Sequence, residues 1–214
     1  MKQFFINNNS DKLLLFLAGW GCDEYEFEHL KCGTDVLIFY NYTDFSYDFD
    51  FSKYKKIDLL TFSAGVFVGT VLDFGVKYDR KIALSGNPYL FDEKLGLSKS
   101  VLEVLRGVTE DNCEAFARDY LVMREDEFKN FNGGKRTIED CMHELDSLME
   151  IYNREQSNIN DIYDYAIMGD SDPLFNPNAQ KEYYGNRLTV IPDARHNIFF
   201  RINSYEDIFN LCQG

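Results

Sequence analysis

The fold class this chain of 214 residues predicts is α/β, a mostly parallel sheet with helices on both faces and a helical insert. Short runs that are apolar on every residue, such as Leu13 to Leu17, alternate with segments of helical spacing, as buried parallel strands and their crossovers do. From about residue 91 to residue 161 that alternation stops, charges become dense and apolar residues fall at helical spacing. The residues able to do chemistry stand just after strand-like runs, at the carboxyl ends where such sheets bind ligands.

Taken in order, Gln3 to Ile6 reads as a strand stopped by Asn7-Asn8-Asn9-Ser10, and Leu13 to Leu17 as a strand buried on both faces. Gly19-Trp20-Gly21 turns the chain into a short helix, Asp23 to Leu30. Asp35 to Tyr40 and Ile57 to Phe62 are the next strands. Ala64 to Phe74, small and apolar, fits a helix packed on the sheet, and Lys81 to Leu84 returns to strand. Within the insert, Asp111-Asn112-Cys113-Glu114 reads as a capping box, with Phe116, Tyr120 and Met123 on one helical face. Thr137 to Tyr152 carries a second stripe, Ile138, Met142, Leu145 and Met149, after a turn at Asn132-Gly133-Gly134. Tyr165 to Met168 and Leu188 to Ile191 resume the strands, and Tyr205 to Leu211 is a closing amphipathic helix. With no repeat or linker in view, residues 1–214 are expected to form one domain, the insert covering the strand ends as a lid.

Composition narrows the function classes. A formal net charge of −14 speaks against nucleic-acid binding, which needs a basic face. Five cysteines, an odd number without a C-x-x-C pair, point to reduced thiols rather than disulfides or a zinc site. No His, Cys and carboxylate set has metal-ligand spacing, so no cofactor is expected. The N-terminus turns polar too early for a signal peptide, and Leu13 to Ala18 is too short to cross a bilayer. A cytoplasmic protein without a membrane partner is the expectation, and nothing speaks to its oligomeric state.

Three motifs carry the chemistry. Thr61-Phe62-Ser63-Ala64-Gly65 puts a serine where a strand gives way to a helix, a turn that exposes the hydroxyl and aims helix N–H groups at a developing oxyanion. The competing reading is a serine that caps the following helix. Gly169-Asp170-Ser171-Asp172-Pro173 offers two carboxylates after a strand, Asp172 deeper in the loop and Asp170 able to shape the turn. Ala194-Arg195-His196-Asn197 supplies the one histidine that follows a strand. His29 and His143 read as exposed helix residues, and Asp193 as part of a turn. A serine hydroxyl needs an imidazole to take its proton, and the imidazole a carboxylate to fix its tautomer. The chain order Ser63, Asp172, His196 is that of the α/β-hydrolases.

Leu17-Ala18-Gly19-Trp20-Gly21-Cys22-Asp23, Phe62-Ser63-Ala64-Gly65-Val66, the Gly169 to Pro173 loop and Arg195-His196-Asn197 together resemble the BioG group of pimeloyl-acyl-carrier-protein methyl ester esterases, over nearly the whole chain. The resemblance implies a triad of Ser63, Asp172 and His196, with the backbone amides of Trp20 and Ala64 as the oxyanion hole. It also implies an acyl carrier protein as the partner that presents the ester, in biotin synthesis. Ala18, where the wider superfamily often has histidine, and Thr61, where the G-x-S-x-G pattern has glycine, depart from the superfamily more than from this branch. Phe116, Tyr120 and Met123 are candidates to line an acyl channel, with Trp20 at its floor, or else to pack the lid. Arg106, Arg118, Arg124, Lys129, Lys135 and Arg136 are candidates for docking an acidic carrier. The competing functions are a small carboxylesterase or thioesterase of other acyl specificity, and a catalytically silent binding scaffold.

Overall fold

A computed structural model describes residues 1–130 and 134–212, without the side chains of Lys129 and Asn130. Its seven strands are β1 (Lys2–Ile6), β2 (Lys12–Leu17), β3 (Asp35–Tyr40), β4 (Lys56–Phe62), β5 (Arg80–Leu84), β6 (Tyr165–Gly169) and β7 (Leu188–Ile191), in the order β1-β3-β2-β4-β5-β6-β7. All neighbours are parallel except β1, an antiparallel edge strand whose first three residues are exposed. The central strands have no polar face because both faces are covered. Along β2, Leu13, Leu15 and Leu17 pack toward α1 (Ala64–Val71), which contributes Phe67 and Val68. Leu14 and Phe16 pack on the other face with Phe199 and, from α7 (Tyr205–Leu211), Tyr205 and Ile208.

The strand order locates the site. From β2 the chain goes to β3 on one side, then crosses over to β4 on the other, so the crevice between the carboxyl ends of β2 and β4 is the topological switch point. Leu17 pairs with Thr61 there, so the Gly19-Trp20-Gly21 turn and Ser63 leave the sheet side by side.

Between β5 and β6 lie α2 (Lys99–Arg106), α3 (Cys113–Phe116) running into a π-helical turn (Ala117–Leu121), α4 (Glu125–Asn130) and α5 (Ile138–Glu155). Several expectations change here. Asn112 does not cap α3 through its side chain. It accepts instead from the Thr109 N–H at 2.7 Å and donates to the Gly107 carbonyl at 2.8 Å. The capping box that does form is Ser204 with Asp207, at the start of α7. The π turn ends before Met123, which therefore leaves the Phe116–Tyr120 face. On α5 the buried residues are Cys141, Glu144, Leu145, Leu148 and Ile151, so Met142 and Met149 lie off the fully buried face. Asp23 to Leu30 forms only a short 3₁₀ turn, Glu24–Phe27. Asn132 and Gly133 of the expected turn lie outside the described residues. After the β6 loop, α6 (Pro177–Tyr184) is a helix in a stretch to which the sequence analysis assigned no element.

Candidate active site

Ser63 is the single residue between β4 and α1, with φ 55° and ψ −119°. A left-handed backbone costs a residue with a Cβ about 1–3 kcal/mol and persists only where the surroundings enforce it. They do: the Ser63 N–H donates to the Leu84 carbonyl at 2.9 Å, and α1 is pressed on β2 so closely that a Cβ at Gly65 would stand 2.2 Å from the Leu17 oxygen. The side chain makes no capping bond to α1, so the simple helix-cap reading of this serine fails. Thr61 fits in place of glycine because its hydroxyl donates to the Ile82 carbonyl at 3.2 Å, while its methyl faces Gly69 of α1, where a Cβ would approach it to 2.9 Å.

His196 follows β7 and the turn at Asp193. Its Nε2 lies 2.9 Å from Ser63 Oγ, and its Nδ1 lies 2.9 Å from Asp172 Oδ2. The other oxygen, Asp172 Oδ1, accepts the N–H groups of Leu174 at 2.8 Å and Phe175 at 3.1 Å, which fixes the carboxylate. All three side chains are buried, and the imidazole is held against Phe62 and stacked parallel to Phe175. The two loops are joined directly, the Asp170 N–H donating to Ile191 O and the Ser171 N–H to Ala194 O, each at 3.0 Å. Asp170 itself is exposed and accepts from the Ser171 hydroxyl, so Asp172 is the aspartate beside the imidazole. His29 and His143 are both exposed, away from this cluster.

A cavity of about 480 Å³ opens over Ser63 and His196, its walls largely apolar and including Trp20, Ala64, Phe116 and Leu145. Tyr120 is not part of its lining. It stacks on Phe116, with ring centroids 5.1 Å apart, because the π turn carries it off the cavity side. Among the described residues no group of three or more His, Cys, Asp or Glu side chains gathers as metal donors, and no helix is long and apolar enough to cross a membrane.

Sequence reading missed the link that fastens the insert to the Trp20 turn. Glu144, fully buried on α5, accepts the Gly21 N–H at 3.1 Å and the Tyr42 N–H at 2.9 Å, and pairs with Arg136 at 2.5 Å. The Trp20 indole N–H donates to the Cys141 carbonyl at 2.5 Å. Burial pushes the Glu144 carboxyl above its ordinary value, while the Arg136 guanidinium and the two N–H groups pull against it. This removes Arg136 from the carrier-docking candidates: its side chain is 4 % exposed and committed to Glu144 and Asp140. Arg106 is paired with Asp146, Arg118 with Glu114 and Glu125, and Lys135 lies over the Tyr25 ring, whereas Arg124 is exposed. The Lys129 side chain is outside the described set. A charged residue on the buried face of a helix leaves no trace in a hydrophobic stripe, and the i, i+8 spacing of Arg136 and Glu144 is the only sequence signal of the pair.

The crystal structure of BioG from Haemophilus influenzae superposes with a TM-score of 0.84 at 26 % identity, covering 97 % of this chain and 99 % of that one. A carboxylesterase structure from Nitrososphaera gargenis shares the fold at a TM-score of 0.62 and 15 % identity, covering 99 % and 93 %, so the architecture is that of the α/β-hydrolases. A malonyl-[acyl-carrier protein] O-methyltransferase of Bacteroides fragilis is 30 % identical over 178 residues, 79 % of this chain, which spans 36 % of that longer relative. The family model described as pimeloyl-ACP methyl esterase BioG matches residues 1–208, and the chain belongs to that family of esterases.

Proposed function

We propose that this chain hydrolyses the methyl ester of a pimeloyl group held on an acyl carrier protein, through a Ser63–His196–Asp172 triad and an acyl-enzyme intermediate. The observation that carries the reading is the pair of 2.9 Å contacts that joins the three side chains at the base of an apolar cavity. His196 Nε2 takes the proton of Ser63 as Oγ attacks the ester carbon, and Asp172 accepts from Nδ1–H, stabilising the imidazolium. The N–H groups of Trp20 and Ala64 receive the oxyanion. Collapse of the tetrahedral adduct breaks the bond to the methoxy oxygen, which leaves as methanol with the proton from His196. Water, deprotonated by His196, then attacks the acyl-enzyme, releasing the carboxylate and restoring Ser63. The insert acts as the lid, Phe116 among its contacts to the acyl chain.

The carrier-borne substrate is supported by the family and by the acyl-carrier-protein name of the Bacteroides relative. Turnover of the carrier-bound methyl ester is compared with that of the free methyl ester and of short p-nitrophenyl esters. Preference for the carrier-bound ester, abolished by Ser63→Ala, supports the reading. Equal turnover of all three would make this a small-ester esterase. Reversing Arg106 and Arg124 to glutamate is expected to raise KM about tenfold for the carrier-bound ester, about 1.4 kcal/mol, and to leave the small esters unchanged.

A further inference from the structure

One buried carboxylate in the cavity takes no part in that mechanism. Glu26, in the 3₁₀ turn after Trp20, is 8 % exposed and lines the same cavity as Ser63 and His196. Its Oε2 has no hydrogen-bond partner, in contrast to Glu144, whose two oxygens are both occupied. The titratable groups around it are the Cys22 thiol and Asp23 on its own segment, His196 from the loop after β7 and Cys141 from α5. None of these is a permanent cation. The guanidinium in the cavity wall, Arg136, is consumed by Glu144 and Asp140, and the other carboxylates lining the cavity, Glu110 and Glu114, add negative charge on the insert. Among the described residues the cavity thus offers apolar walls to an acyl chain and, to an acid, no positive charge that is not already paired.

We propose that Glu26 is a specificity-determining residue that sets the cavity against carboxylates, so that a neutral ester is admitted and the acid formed from it is driven out. The inference rests on the ester-hydrolysis reading only in taking Ser63 to mark where the reacting carbon sits. Two carboxylates in a low-dielectric, water-poor space repel far more strongly than in water. Burial already disfavours the Glu26 anion, with a pKa raised to about 7 by desolvation. The repulsion is therefore present above about pH 7 and fades below it as the carboxyl takes up a proton. A neutral ester feels neither state in the same way.

Binding of methyl heptanoate and of heptanoate is measured by calorimetry in the full chain carrying Ser63→Ala, with and without Glu26→Gln, at pH 8. Glu26→Gln is expected to tighten heptanoate at least tenfold relative to methyl heptanoate, since one pKa unit of interaction corresponds to about a tenfold change. An unchanged ratio of the two affinities overturns the proposal. If Glu26→Gln does not fold, the pH dependence decides. In a chain carrying Ser63→Ala and His196→Gln, which removes the imidazole, heptanoate binding should weaken between pH 6 and pH 8 while methyl heptanoate binding stays level. Parallel behaviour of the two ligands would equally overturn it. Because neither measurement needs turnover, a chain that fails to hydrolyse the carrier-bound ester would refute the proposed function and leave this test intact.

Discussion

On the sheet side of the cavity, Ser63 directly follows β4, and Asp172 and His196 lie on the loops that leave the neighbouring strands β6 and β7, joined by backbone hydrogen bonds. On the opposite side, the layer of helices from α2 to α5 packs Leu105, Leu145, Leu148 and Ile151 on the core and is tied down by a few polar links. The Gly21 N–H donating to Glu144, whose carboxylate Arg136 pairs, and the Trp20–Cys141 hydrogen bond hold α5 over the Gly19-Trp20-Gly21 turn. The loop after β7 holds the other end: the Asn197 N–H donates to the Leu121 carbonyl at 2.8 Å, Arg195 donates to the Arg118 carbonyl, and Arg201 pairs with Glu127. Apolar area and close backbone approach set the sheet side, whereas the insert adds to its apolar packing a few polar contacts, several of them made by single side chains. Reacting groups need fixed geometry, whereas a cover over a cavity has to admit an acyl chain.

The contrast can be broken by substitution. Ser63→Ala, on the sheet side, should lower kcat by about 10⁴ to 10⁶ with little change in urea stability, since it removes the nucleophile and leaves the packing. Gly65→Ala should destabilise the chain by about 3 kcal/mol in urea unfolding and also depress kcat, because the added Cβ meets the Leu17 carbonyl and must push α1 off β2. Glu144→Gln, on the insert side, leaves Arg136 with Asp140 as its one carboxylate partner among the described residues. A loss of about 3 kcal/mol is expected, together with a raised KM as the Gly21 turn loosens. Arg195→Ala should be mildest, a KM increase of about fivefold for one lost tether of about 1 kcal/mol.

The acid–base behaviour sharpens the same contrast. Glu26 has a folded-state pKa of about 7, above its unfolded value, so the folded chain binds its proton more tightly. Its contribution to stability is present at low pH and is lost as pH rises from about 4.5 through about 7. Glu26→Gln should flatten that part of the stability-against-pH curve, measured as the difference between the two chains.

The sheet and the elbow were legible from the sequence because each strand is an unbroken apolar run, and because Ser63, Asp172 and His196 stand beside strand ends. The α6 helix was not assigned from the sequence, although Asn176 caps it and Pro177 begins it. The α5 stripe kept Leu145 but missed Leu148 and Ile151, and burial there also includes Glu144, stabilised by a residue that only the folded chain brings to it. Phe116 lines the cavity and Tyr120 does not, since a π turn shifts the angle between them and i, i+4 spacing assumes a regular helix. Glu26 drew no notice in the sequence, being one acid among 36 Asp and Glu residues.

The most direct test is covalent. A phosphonofluoridate probe is incubated with the chain and the modified peptide is mapped by mass spectrometry. A single adduct on Ser63, formed rapidly with His196 present and suppressed by His196→Ala, is the expected result. An adduct on another residue, or equal labelling of Ser63 without the imidazole, would contradict a nucleophile activated by that histidine.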